Sequence, residues 1–152
     1  MNKKKLIFDE VIDFLQITSP FLMVDYVEQV IPGESCHAVK KIKQDDWFFN
    51  CHLEQEGLMP GTLIIEAMLQ TLVLTLYTME SHKGKLSFVT DISSKLLSKV
   101  SYDSQLDIHA KLLSYKRGAT KGQVDVKVNN LIVCNGEFTL ISPHNMLVPD
   151  VS

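Results

Sequence analysis

The sequence predicts an α+β fold in which an antiparallel sheet wraps around one long apolar helix. Two observations predict it. Residues 62–79 are apolar on nearly every helical face, and the last third of the chain is a series of strand-like runs separated by turn signals. A third supports them: a short amphipathic helix and a strand pair precede the long helix. The chain has 152 residues, 45% hydrophobic and 22% charged, with 7 Gly and 5 Pro, which is the composition of one globular domain spanning 1–152 and excludes a disordered or low-complexity protein.

In chain order, residues 6–15 place Leu6, Ile7, Val11, Phe14 and Leu15 on one helical face, with Asp9, Glu10 and Asp13 off it. Pro20 closes that helix. Residues 21–42 are rich in β-formers around Pro32-Gly33 and read as two strands joined by a turn. Residues 44–61 are irregular. The central helix over about 62–79 would be about 27 Å long at 1.5 Å per residue, and with no polar stripe it must be wrapped by protein on most sides. Lys83-Gly84-Lys85 ends it. Residues 86–92, 105–115, 122–128 and 131–142 are strand candidates. The run from Val124 to Val128 alternates strictly, as a half-buried strand does, and Asn129-Asn130 supplies residues that tolerate the positive φ of a tight hairpin.

Net charge is −3, and the fifteen basic residues include a single arginine, Arg117, so the chain lacks the basic excess of a nucleic-acid binder. Cys36, Cys51 and Cys134 form neither a disulfide framework nor a zinc pattern. The basic start Lys3-Lys4-Lys5 is followed by Asp9, Glu10 and Asp13, which interrupt any signal-peptide core. The apolar run 62–79 carries Glu66 and Gln70, which argues against a membrane span because a carboxylate in hydrocarbon is costly. A cytoplasmic protein is expected. His37, His52, His82, His109 and His144 are scattered without metal-ligand spacing, so no metal and no cofactor is expected.

Glu66 and Gln70 lie four apart on one helical face, within reach of a mutual hydrogen bond, among Leu, Ile, Met, Ala, Val and Thr. In such surroundings the carboxyl pKa rises toward neutrality and the group becomes a proton donor, unless it pairs with a buried cation or a partner subunit. His52, fourteen residues earlier, is a candidate base. Gly61 follows Met59-Pro60 at the start of the helix, where free N–H groups favour an oxyanion or a polarised carbonyl. Together these suit removal of a proton next to a carbonyl with loss of a β-leaving group. A thiol–imidazole pair of Cys51 with His52 is disfavoured, because neighbouring side chains of an extended segment point to opposite faces.

The run His52-Leu53-Glu54-Gln55-Glu56-Gly57-Leu58-Met59-Pro60-Gly61-Thr62-Leu63-Ile64-Ile65-Glu66-Ala67-Met68-Leu69-Gln70 resembles the signature of the hotdog-fold β-hydroxyacyl-(acyl carrier protein) dehydratases of the FabZ and FabA type. In that signature a His is followed nine positions later by the Gly of Met-Pro-Gly, fourteen by an acid and eighteen by a Gln. The resemblance extends from about Ile7 to Ile141. It implies that His52 takes the C2 proton of a 3-hydroxyacyl thioester and that Glu66 delivers a proton to the departing C3 hydroxyl. It further implies that the Gly61 N–H holds the thioester carbonyl and that Gln70 orients Glu66. The implied enzyme is at least a homodimer, with the His of one chain meeting the acid of the other. Its substrate would be acyl-phosphopantetheine on an acyl carrier protein, in fatty-acid or polyketide-type biosynthesis. Met23, Phe48, Phe49, Met59 and Met68 are candidate walls of the acyl tunnel, or else ordinary core.

Several positions depart from the family pattern. The family usually reads His-Phe-Pro-Gly-x-Pro; here His52 is followed by Leu53-Glu54-Gln55-Glu56-Gly57, with both prolines lost and two acids gained, which implies a less rigid loop. Cys51 stands where Gly is common. Leu97-Ser98-Lys99 and Tyr102-Asp103-Ser104 replace an arginine pair with proline and a Pro-Gly-Asp turn. Lys95, Lys99, Lys111, Lys116 and Arg117 remain as candidates for meeting an acidic carrier protein. The changes point to a divergent member in a specialised pathway. Two rival readings are an acyl thioesterase, which needs no His fourteen residues before its acid, and a non-catalytic acyl- or partner-binding subunit.

Overall fold

The computed structural model describes residues 2–83 and 85–142. Its elements are strand β1 (Lys4–Leu6), helix α1 (Phe8–Leu15), strands β2 (Tyr26–Ile31) and β3 (Ser35–Lys41), a 3-10 turn (Trp47–Asn50), helix α2 (Gly61–Tyr77) and strands β4 (Phe88–Leu96), β5 (Gln105–Lys116), β6 (Ala119–Val128) and β7 (Leu131–Ile141). The strands form one antiparallel sheet in the order β1-β2-β3-β5-β6-β7-β4, with α2 packed on β3, β5 and β6. This is the hotdog arrangement expected from the sequence.

Local chemistry explains most of these elements. In α1 the Glu10 carboxylate accepts the Ile7 N–H at 2.9 Å, fixing the helix start, and Val11 and Leu15 face the core. Leu6 is buried as expected but belongs to β1, and Ile7 is exposed because it caps the helix rather than joining its apolar face. The turn between β2 and β3 uses Gly33 at φ 74°, whose N–H is donated to the Thr75 carbonyl of α2 at 2.8 Å, so the hairpin tip is docked on the helix. The β6–β7 hairpin turns through Asn129 and Asn130, at φ 49° and 66°. Residues 21–25, read as part of a strand, leave the sheet; the pairing begins at Tyr26.

The apolar helix is buried over most of its length, and its hydroxyls are satisfied locally. Thr71, Thr75 and Thr78 donate to the carbonyls of Ala67, Leu72 and Leu74 at 2.8, 2.6 and 2.6 Å. Close approach of helix to sheet depends on Gly122 in β6, where an added Cβ would overlap the Leu72 side chain. No helix among the described residues is long and apolar enough to cross a membrane.

The sheet outruns its helix at one edge. Val89, Ile92 and Leu96 of β4 stand opposite Leu140, Phe138 and Cys134 of β7, all three fully buried. Directly opposed residues share a face, so β4 turns these apolar side chains toward the core side, yet they are 41%, 50% and 51% exposed. Among the described residues, no strand pairs with the outer edge of β4.

Gly122→Ala is expected to destabilise the protein by about 1–3 kcal/mol through overpacking against Leu72. Urea denaturation checks this, and an unchanged midpoint would show that the helix can lift without cost.

Candidate active site

Helix α2 starts at Gly61 with Pro60 as the preceding residue, so the first N–H groups of the helix are free of intrahelical partners. A Cβ on residue 61 would lie 2.5 Å from Leu96 Cδ1, and glycine is what lets β4 close over the helix start. One turn further on, Glu66 is half-buried at the wall of a cavity of ≈ 150 Å³. The cavity follows one stripe of α2, through Glu66, Leu69, Gln70, Val73 and Tyr77. Leu15 and Ile17 close it on one side and Ser87, Val89 and Leu140 on the other.

Gln70 is buried, and its amide is fully used. Its Oε1 accepts the Met23 N–H at 2.8 Å, and its Nε2 donates to the Phe21 carbonyl at 3.0 Å and to Glu66 Oε1 at 3.0 Å. Within the 21–25 segment the Phe21 carbonyl and the Met23 N–H thus bond a helix side chain, while the Asp25 N–H is donated to the Val39 carbonyl of β3 at 2.8 Å. Burial pushes the Glu66 carboxyl above its ordinary 4.5, and the Gln70 hydrogen bond works against that rise. The group is thus biased toward the protonated, hydrogen-donating form and held in one orientation.

His52 sits in the turn after the 3-10 segment, half-buried, with its Nδ1 buried and without a hydrogen-bond partner. No hydrogen bond joins His52 to Glu66 within the chain among the described residues. The loop after it is irregular, with Leu53 at φ 44° and Gly57 at φ 59°. It is pinned at its far end, where Leu58 bridges Ser101 and the Met59 N–H is donated to Val100 at 2.8 Å. Tyr102 braces both ends. Its ring lies edge-on to Phe49 at 5.8 Å, and a Cβ on residue 57 would meet it at 2.9 Å. An aromatic wedge thus stands where the family's prolines are missing. Cys51 donates weakly to the carbonyls of Trp47 and Phe48, at 3.7 and 3.8 Å, and makes no bond to His52.

The structure brings Glu66 and Gln70 together on one wall and sets Gly61 a turn away. Phe48, Phe49, Met59, Met23 and Met68 all lie in the main core cluster, and none lines the cavity beside Glu66. The side chains that do line it, Tyr77 and Ser87 among them, carry no motif in the sequence. Tyr102 had one available signal, the replacement of a Pro-Gly-Asp turn. The described residues contain no cluster able to hold a metal ion, and His144 lies outside them.

A helix buried in a curled sheet, with a glycine at its start and a hydrogen-bonded acid facing a cavity, defines the class. The model of the FabA-like domain matches residues 16–138, and the chain belongs to that family. It is 33% identical over 130 residues to the 3-hydroxyacyl-(acyl-carrier-protein) dehydratase FabZ of Ruminiclostridium cellulolyticum, covering 85% of this chain and 92% of that one. It is also 33% identical over 138 residues to the FabZ of Enterococcus faecalis, covering 90% and 98%. Among solved structures it is similar to the dehydratase heterocomplex ApeI:P of Xenorhabdus doucetiae, with TM-score 0.75, 18% identity and coverage of 88% and 90%. It is also similar to a hypothetical thioesterase with coenzyme A from Streptococcus pneumoniae, with TM-score 0.62, 18% identity and coverage of 76% and 83%. At those identities the structures share the fold.

Because Glu66 titrates above its ordinary value, its ionisation disfavours the folded state. That cost is absent in acid and sets in as pH rises from about 4 through the raised pKa. Glu66→Gln is therefore expected to gain stability relative to the parent between pH of about 4 and about 8. Denaturant midpoints at both values test this; a constant difference would mean that the carboxyl is not desolvated.

Proposed function

We infer that this chain dehydrates a 3-hydroxyacyl thioester to the trans-2-enoyl thioester, and that the acyl group is borne by the phosphopantetheine of an acyl carrier protein in fatty-acid or polyketide-type synthesis. The observation that carries the reading is the Glu66 carboxyl, kept toward its protonated form by burial and aimed by Gln70 at the edge of an apolar cavity. The shared pattern from His52 to Gln70 in a FabA-like chain supports it. In the reaction His52 takes the C2 proton, and the electron pair moves toward the thioester carbonyl, where the free N–H of Gly61 stabilises the growing negative charge. The C2–C3 double bond then forms as the C3–O bond breaks, Glu66 giving its proton to the departing hydroxyl, which leaves as water. The proton on His52 returns through solvent to regenerate Glu66. Gln70 is a positioning residue, and no cofactor enters the chemistry.

The site is completed by a second copy of the chain. Among the described residues, the buried Nδ1 of His52 has no hydrogen-bond partner. Beside the cavity, β4 presents an uncovered apolar face and an unpaired edge. Pairing of two β4 strands covers both and sets His52 of one chain against Glu66 of the other. Lys95 and Lys99, at the end of β4 and just beyond it, with Lys111, Lys116 and Arg117, offer positive charge to an acidic carrier protein. The thioesterase reading uses Glu66 alone and leaves His52 without a task.

His52→Ala and Glu66→Gln are each expected to abolish hydroxyacyl–enoyl interconversion, a loss of about 10²–10⁴-fold, while the dimer persists. Absorbance of the conjugated enoyl thioester measures the reaction, and free thiol measured alongside separates a thioesterase. Near-parental turnover in either variant would remove that residue from its role. Gln70→Ala removes the hydrogen bond that favours the Glu66 carboxylate, so the alkaline limb of the pH–rate profile should move to higher pH. Ile92→Lys is expected to yield monomers by sedimentation and to lose activity with them; an active monomer would overturn the shared site.

A further inference from the structure

Resting on the dehydratase reading, we propose that Trp47 and Lys40 are positioning residues for His52. They tie the turn that leads to the base onto the Pro20–Asp25 segment, which Gln70 already holds against the helix of the acid. Trp47 is the first residue of the 3-10 turn Trp47–Asn50, and its indole N–H is donated to the Pro20 carbonyl at 2.9 Å. The next carbonyl along, that of Phe21, accepts from Gln70 Nε2, which also bonds Glu66. One run of side-chain hydrogen bonds thus leads from Glu66 through Gln70 and the Pro20–Phe21 backbone to the turn just ahead of His52.

A second tie runs beside the first. Lys40 is the one charged side chain that is buried among the described residues. Its ammonium lies 3.4 Å from Asp25 Oδ1 and 4.0 Å from Asp46 Oδ1, so it bridges the end of the Gln70-held segment and the residue before Trp47. Both carboxylates are themselves held: Asp25 Oδ2 accepts the Lys41 N–H at 2.7 Å, and Asp46 Oδ2 the Lys43 N–H at 2.8 Å. A buried ammonium is tolerable only with such partners, so the two segments cannot part without stranding it. Between the segments lies a cleft of ≈ 250 Å³, lined by Pro20, Leu22 and Met23 from one and Asp46, Trp47 and Phe48 from the other. The polar ties therefore span a gap that packing does not fill. His52 needs such external placement, because its buried Nδ1 has no hydrogen-bond partner among the described residues. Displacing a reacting group by about 1 Å can cost about 10²-fold in rate. In the proposed dimer, the base of one site and the acid of the other are then set within the same chain.

The test joins fluorescence to kinetics. The chain has a single tryptophan, so intrinsic emission reports on Trp47 alone. Lys40→Met and Gln70→Ala, neither of which alters the indole, should each shift that emission to the red as the turn undocks. With the pantetheine thioester of 3-hydroxybutyrate, Trp47→Phe, which keeps a ring and loses the N–H, should lower kcat about tenfold and leave KM within about twofold. Lys40→Arg, which keeps a cation between the carboxylates, should retain more of kcat than Lys40→Met. Parental kcat in Trp47→Phe, or a fall no larger than the loss of folded dimer, overturns the positioning role and leaves the dehydratase reading intact. Emission unchanged in both Lys40→Met and Gln70→Ala overturns the shared tie; if Lys40→Met does not fold, Gln70→Ala and Trp47→Phe decide. A parent that leaves the thioester unconverted overturns the dehydratase reading and with it the catalytic purpose of the tie.

Discussion

One buried amide organises the site. Gln70 ties the helix to the Phe21–Met23 segment through two backbone hydrogen bonds and spends its remaining donor on Glu66. A polar side chain inside an apolar helix is tolerable only when all its groups are met, and here meeting them has consequences on both sides. Toward the sheet, it holds the Phe21–Met23 segment against the helix just before β2 begins. Toward the cavity, it fixes one oxygen of the acid. Desolvation and the Gln70 hydrogen bond push the acid's proton affinity in opposite directions, with desolvation the larger. Burial thus raises the acid's proton affinity while Gln70 holds one of its oxygens.

The rest of the architecture supplies surfaces around that pair. Gly61 and Gly122 each mark a place where the helix is approached more closely than a side chain would allow, one by Leu96 at its start and one by the sheet beneath Leu72. The loop bearing His52 is held differently from its relatives' pattern. Tyr102, wedged between Phe49 and Gly57, takes over restraint that prolines would otherwise provide, so the lost prolines do not leave the segment unbraced.

Much of this was legible in the sequence because its signals are local. The long apolar run gives α2 within a residue or two of its bounds, alternation gives β6, and the Asn pair gives the last hairpin. The pairing of Glu66 with Gln70 was visible because a helix converts a spacing of four directly into a shared face, and Gly61 because it marks the helix start. What was not legible depends on contacts distant in sequence. Strand β1 is three residues whose only claim to be a strand is pairing with β2, and the extended 21–25 segment is captured by a side chain some 47 positions away. The cavity walls failed for the same reason. Phe48, Phe49 and Met59 are large and near His52 in sequence, but the fold spends them on the core. Ser87 and Tyr77 flank the cavity because the chain just before β4 meets the C-terminal part of α2 there.

The position of β4 also bears on biosynthesis. Among the described residues its only strand neighbour is β7, so a nascent polypeptide presents Phe88–Leu96 with both edges open until residues 131–141 have emerged. An apolar strand waiting in that state is a template for mispairing between neighbouring ribosomes' products. Docking of β7 closes one edge, and in the proposed dimer a second copy would close the other, so the surface assigned to completing the site is also the one that most needs prompt concealment during synthesis.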